Sequence, residues 1–191
     1  MKKMIAGLLL IAMSASAQDD AAKKKAEEDA VMAYYVEAAK PVAEHQRLAE
    51  LTGPWKVTSK FWFGADAEPQ TVTGTGSGKL ILGGRFLELL TDTKGAFDQE
   101  ALTILGFDRR TSDYTMVGYD TLGTYYITAA GKYDEAQKGI VLHGSYAQPP
   151  NMQQQKYHFI WTKLSEKEHV MTLYFAMDGK DVRVAETRFV R

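Results

Sequence analysis

The sequence predicts an all-β fold, a closed antiparallel meander barrel of about ten strands behind a short N-terminal helical segment. Three observations carry this prediction. Composition changes once along the chain: residues 18–52 are rich in Ala, Glu and Lys and hold no glycine, whereas from Gly53 onward Gly, Thr and Tyr alternate with apolar residues. The strand candidates are joined by short turns, which makes successive strands antiparallel neighbours. Nothing helical interrupts them, and a single open sheet of that size would leave exposed edges that closure removes.

The first seventeen residues read as a signal peptide. Lys2 and Lys3 precede an apolar run from Met4 to Met13, and Ala15-Ser16-Ala17 supplies the small residues of a cleavage site. The run is too short for a bilayer core, which takes roughly 20 residues. The predicted location is therefore periplasmic or secreted, with residues 18–52 as a helical segment and 53–191 as the barrel domain. The chain has no cysteine, which excludes a lipidated cysteine, disulfides and thiolate metal sites. Formal net charge is −1, and about −3 without Lys2 and Lys3, so no basic nucleic-acid footprint is present. No further apolar run is long enough to span a membrane.

Residues 26–40 suit a helix, with Val31, Tyr35, Ala38 and Val42 roughly on one stripe. Pro41 interrupts it and opens a second short helix carrying His45, Leu48 and Leu51 on one side, which stops at Gly53-Pro54. The strands are expected at about 54–63, 71–82, 85–92, 101–108, 113–121, 124–132, 139–147, 154–163, 168–177 and 181–190. Three hairpins set register. Asp178-Gly179 pairs Phe175 with Val182, Leu173 with Val184 and Met171 with Glu186. Gly83-Gly84 pairs Leu80 with Leu87, Leu82 with Arg85 and Lys79 with Glu88. A symmetric Pro149-Pro150 loop pairs Ile140 with Trp161, Leu142 with Phe159 and Gly144 with Tyr157.

A series of short motifs then resembles one family. It comprises His45, Leu48 and Gly53-Pro-Trp55; Gly76-x-Gly78 leading to Leu82-Gly-Gly-Arg-Phe86; Leu105-Gly-Phe-Asp108; Gly118-Tyr-Asp120 with Gly123-Thr124; Gly131-Lys-Tyr-Asp134; Asp178-Gly179; and Thr187-Arg-Phe-Val-Arg191. In order and spacing these resemble the bacterial domain of unknown function 1579, a lipocalin-like (calycin-like) barrel family, over roughly 44–191. The chain departs from the family pattern at Phe107 and Tyr119, where the family usually carries Tyr and Trp. The resemblance implies a barrel and, in many members, export; it implies no activity. Gly53-Pro54-Trp55 is also similar to the Gly-x-Trp opening of lipocalins, in which an arginine of the last strand packs on the tryptophan; Arg188 or Arg191 fits that part.

Five residues are the candidate ligand contacts. The Asp178-Gly179 register sends Glu186 and Arg188 to the face of Val182 and Val184, so a lumenal face makes them a polar anchor, an acid/base couple or a structural ion pair. Arg85, after the Gly-Gly turn, suits bidentate carboxylate binding or lies over the rim. Tyr119 and Tyr126, with Tyr146, suit a half-polar cavity. Gly74, Gly76 and Gly78 share one strand face, either bending the strand or making room for a ligand. His143 is expected opposite His158 on an outer face without a third ligand, so no metal site is expected, and His45 reads as a core histidine. No nucleophile elbow or carboxylate pair stands out, so no catalytic residue is assigned.

The resulting expectation is a binding barrel for a small apolar or amphipathic ligand, without a cofactor and without nucleic-acid or membrane-spanning character. The alternatives are acid/base catalysis on a bound substrate, a haem-binding barrel (which needs an inward histidine, whereas the register turns His158 outward) and a filled structural or interaction module.

Overall fold

In the computed structural model the described residues are 2–64, 67–148 and 150–191, with side chains described from residue 20 onward. Two units result, residues 1–40 and 41–191. The first contains α1, Lys2–Ala38, a single helix that begins well before the expected 26–40. Its sequence is rich in Ala, Leu, Met, Glu and Lys, strong helix formers, and the next proline is Pro41, which disfavours helix at the preceding residue. The side chains of the expected signal segment lie outside the described residues. No described helix is long and apolar enough to cross a membrane.

The second unit is a closed barrel. It opens with α2, Ala43–Ala49, whose first turn is capped by the backbone N–H of Val42 donating to His45 Nδ1 at 3.1 Å. The strands are β1 (Gly53–Phe61), β2 (Gln70–Ile81), β3 (Phe86–Gly95), β4 (Gln99–Asp108), β5 (Asp113–Asp120), β6 (Tyr126–Asp134), β7 (Gly139–Gln148), β8 (Gln153–Ser165), β9 (Glu168–Met177) and β10 (Lys180–Val190). Each pairs antiparallel with its chain neighbours, and β10 returns to pair with β1. The meander and its closure are as the turn chemistry and the edge argument require.

Alternation puts one face of every strand inside. Trp55, Val57, Leu87, Leu89, Leu105, Met116, Leu142, Phe159 and Phe189 form the core, and Leu48 and Leu51 plug the end under α2. Gly74 and Gly78 serve close backbone approach: a Cβ would lie 1.9 Å from the Asp92 carbonyl oxygen at the first and 2.1 Å from that of Leu51 at the second. Gly78 thus admits the α2–β1 connection, and the Leu51 carbonyl there accepts a hydrogen bond from Trp55 Nε1 at 2.8 Å. At these two positions glycine is a packing device.

The Gly83-Gly84 hairpin pairs Leu80 with Leu87 and Lys79 with Glu88, as expected. The β7–β8 hairpin pairs Ile140 with Trp161, Leu142 with Phe159 and Gly144 with Tyr157, also as expected; Pro149 of its turn lies outside the described residues. The last hairpin follows the expected register only at its turn. Asp178 and Gly179 take positive φ of 50° and 74°, and Val182 pairs with Phe175. A bulge at Val184 then shifts the ladder, so Leu173 pairs with Ala185, not Val184, and Met171 with Thr187, not Glu186. The Val184 carbonyl instead accepts the Trp62 N–H at 2.9 Å. One extra residue inverts every later side chain of β10.

Candidate binding site

That inversion decides where the charged residues of β10 go. Ala185, Thr187 and Phe189 turn inward, and Glu186 and Arg188 turn outward. Glu186 accepts from Arg183 Nη1 at 3.1 Å, and Arg188 Nη1 bonds Glu168. The lumenal pair expected of Glu186 and Arg188 is therefore corrected to two separate outer ion pairs, and the acid/base couple built on them is not formed. The remaining candidates do not converge either. Arg85 sits in its turn at the α2 end, donating to the Leu82 carbonyl at 3.0 Å. Tyr119 and Tyr126 are toward the opposite end, on the outer face, 48% and 63% exposed, with ring centroids 6.0 Å apart. Tyr146 does face inward, against Tyr157 and Phe175 at 6.0 and 6.2 Å.

The Gly-x-Trp device at the barrel end is completed by Arg191. Its guanidinium carbon lies 4.0 Å from the centre of the Trp55 ring, and Nη2 donates to the carbonyls of Glu50, at 3.2 Å, and Thr52. Trp55 is 2% exposed.

Two unfilled spaces among the described residues reach into the barrel. One, of about 140 Å³, lies mid-lumen toward the end away from α2, among Phe61, Leu89, Met116, Ile127, Phe159 and Leu173, with hydroxyls from Thr91, Thr103 and the hydrogen-bonded pair Ser59 and Thr187. Tyr119 reaches its rim. The other, of about 340 Å³, lies beneath α2. Leu48 and Leu51 roof it, Leu105, Ile140, Leu142 and Trp161 wall it, and Arg47, Glu50, Lys138 and Lys163 stand at its outer edge with Tyr133. Trp161, stacked on Phe189 at 5.6 Å, is the one wall residue that the two spaces share.

The chamber under α2 carries polar atoms that the fold leaves unmet. Trp161 Nε1 and His169 Nε2 are buried without a hydrogen-bond partner, and both side chains line it. Such atoms cost about 1–3 kcal/mol each when nothing meets them. His169 is 3% exposed, its ring edge-on to Trp55 at 5.4 Å. Burial pushes its pKa below the usual histidine value; Glu50 opposes this, and Lys163 and Arg191 reinforce it. In the adjoining crevice the Tyr114 hydroxyl is likewise buried, and burial raises its pKa against the pull of Arg47. At the chamber edge Lys163 is already bonded to Glu50, at 3.2 Å, and Glu166, at 2.7 Å. Arg47 lies flat on Tyr133 at 3.8 Å from the ring centre.

The site residues are thus Trp161, His169, Arg47, Lys138 and Tyr133, none of which the sequence reading selected. His169 had a signal, because it shares its parity with Met171, Leu173 and Phe175 and so belongs to the inner face. His143 and His158 face each other outside, centroids 5.7 Å apart, with His158 stacked on Tyr174 at 4.9 Å, as the hairpin register requires. No group of three or more potential metal ligands occurs among the described residues. His45, 6% exposed and bonded to the Val42 N–H, is the core histidine expected.

The crystal structure of Rv2717c from M. tuberculosis shares this fold with a TM-score of 0.56 and 14% sequence identity, over 80% of this chain and 99% of that one. No curated protein matches the sequence. Residues 40–191 match the family model described as "Protein of unknown function (DUF1579)", and the chain belongs to that family.

Proposed function

We propose that the protein is an exported binding protein that takes a small, partly apolar molecule into the chamber beneath α2. The observation that carries this reading is the chamber itself: apolar walls, about 340 Å³, and two buried polar atoms that no protein group meets. Its size falls at the low end of small-molecule sites, and few polar groups among apolar walls is their usual chemistry. A ligand that offers an acceptor to Trp161 Nε1 recovers part of the cost of burying it. The rigid barrel holds every wall residue in place, so little ordering is needed on binding. Export is supported by Lys2 and Lys3, the Met4–Met13 run and Ala15-Ser16-Ala17.

Native mass spectrometry of protein purified from its own host tests both parts. The expected species begins at Gln18 and carries a non-covalent adduct, which is lost in Ile140→Phe, a substitution that fills the chamber while β7 keeps its pairing. A chain retaining Met1 in the exported fraction refutes cleavage after Ala17, and a chain absent from that fraction refutes export. An adduct-free wild type whose thermal midpoint is unmoved by decanol and by decanoate refutes binding.

A further inference from the structure

The chamber's outer edge is cationic in a way its own ion pairs do not use up. Four charged residues stand there, and Lys163 and Glu50 satisfy each other. Arg47 and Lys138 have no carboxylate within salt-bridge distance among the described residues, and both are exposed. Arg47 is held in position by its stacking on Tyr133, and Lys138 projects from the β6–β7 turn, where its backbone takes a positive φ of 49°. The same space is also lined by the unmet Trp161 Nε1 and His169 Nε2, the latter directly across the β8–β9 ladder from Lys163, and by the apolar Leu105, Ile140 and Leu142.

From this polarity we infer that the ligand is an amphipathic carboxylate: an acid head at Arg47 and Lys138, an aliphatic or aromatic body along Ile140 and Leu142, and a hydrogen-bonding atom near Trp161 and His169. The inference rests on the chamber reading above. A guanidinium is the better half of the anchor, since its fork donates to both carboxylate oxygens, whereas the lysine adds a point charge. Trp161 Nε1 is a donor only, so the inner atom of the ligand is an acceptor such as a carbonyl or hydroxyl oxygen. A neutral histidine tolerates either polarity, and burial keeps His169 neutral. The electrostatic part of such binding weakens with salt because the mouth is open to solvent, while the apolar part does not.

Three matched probes test the assignment: decanoate, decanol and decylammonium, titrated by calorimetry into the full exported chain at low and at high salt. Decanoate is expected to bind at least about tenfold more tightly than decanol, with decylammonium weakest. The advantage over decanol is expected to vanish in the Arg47→Gln, Lys138→Gln double variant and to survive in Lys94→Gln, a distant outer-face control. Ile140→Phe is expected to abolish binding of every probe. Decanol binding as tightly as decanoate overturns the carboxylate assignment and leaves the chamber reading intact. A decanoate preference untouched by Arg47→Gln, Lys138→Gln overturns the placement of the head group. Absence of binding by all three overturns the chamber reading with it. Retained circular dichroism and an unfolding midpoint within a few degrees of wild type establish that each variant is folded.

Discussion

Arg191→Met is expected to destabilise the barrel by about 2 kcal/mol, chiefly by releasing the Glu50 and Thr52 carbonyls, with the uncapping of Trp55 adding the rest. The guanidinium stands 4.0 Å from the indole centre, a contact worth about 0.5–1 kcal/mol at a site as exposed as Arg191. The same group closes the α2–β1 connection through the Glu50 and Thr52 carbonyls. Charge-assisted bonds of this kind are worth about 1.5–3 kcal/mol, and solvent access to both carbonyls puts the loss at the lower bound. The backbone is spared, since the Arg191 N–H still donates to the Lys167 carbonyl at 3.0 Å. Trp55→Phe is expected to cost more, about 3 kcal/mol, because it also strips the buried Leu51 carbonyl of its donor. The double variant is expected to be less destabilised than the sum by the cation–π contribution alone, about 0.5–1 kcal/mol. Urea unfolding reads all four proteins, and with a slope of about 2 kcal/mol/M the Arg191→Met midpoint falls by about 1 M. A midpoint within about 0.2 M of wild type, or additive singles, would refute the account of the barrel end.

The remaining predictions concern charge. A double-mutant cycle on Glu186→Gln and Arg188→Met is expected to give no coupling, because the two side chains have different partners, whereas Glu168→Gln with Arg188→Met is expected to give about 0.2–1 kcal/mol. Coupling between 186 and 188 above about 1 kcal/mol would place them together and contradict the bulge at Val184. His169 is held neutral by burial, with Glu50, Glu166, Lys163 and Arg191 as the charges that act on it. A folded pKa below the unfolded 6.5 means that the unfolded chain takes up the proton first, so stability is full above about pH 6.5 and falls as pH drops toward the folded value. His169→Gln is expected to reduce the slope of stability against pH below about pH 6.5 by up to one proton, about 1.4 kcal/mol per pH unit. His45 and His158, lowered for the same first reason, retain their share of that slope. An unchanged slope would show that His169 does not titrate differently in the two states.

What could be read from sequence followed local rules. Asp178-Gly179 and Gly83-Gly84 need positive φ that other residue pairs avoid, so the turns and the first rungs beside them were legible. His143 opposite His158 followed from hairpin symmetry. The bulge did not, because Val184 is apolar and suits either face, and what holds it is a bond from Trp62, the residue just after β1. The misplacement of Glu186 and Arg188 came entirely from that one residue. The chamber was hidden for a different reason. It exists because α2 spans the barrel end without filling it, and a helix of seven residues carries no sequence mark of what lies beneath. Arg47 reads as an ordinary exposed helix residue until Tyr133, from β6, is placed under it.

The seam between β1 and β10 has a consequence for how the chain is made. Ser59 meets Thr187 across a sequence separation of 128 residues, and β10 must pair with β9 on its other side as well. Synthesis is vectorial, so nine strands emerge before the one that closes them. Until then both β1 and β9 present bare edges. Joining such distant segments also makes for slow folding, since loop-closure entropy is lost before the contacts that offset it form. A chain built this way commits to its barrel only once β10 is in place between β9 and β1. Shortening it by the eleven residues of β10 would therefore remove the fold as a whole and not merely trim one strand from it.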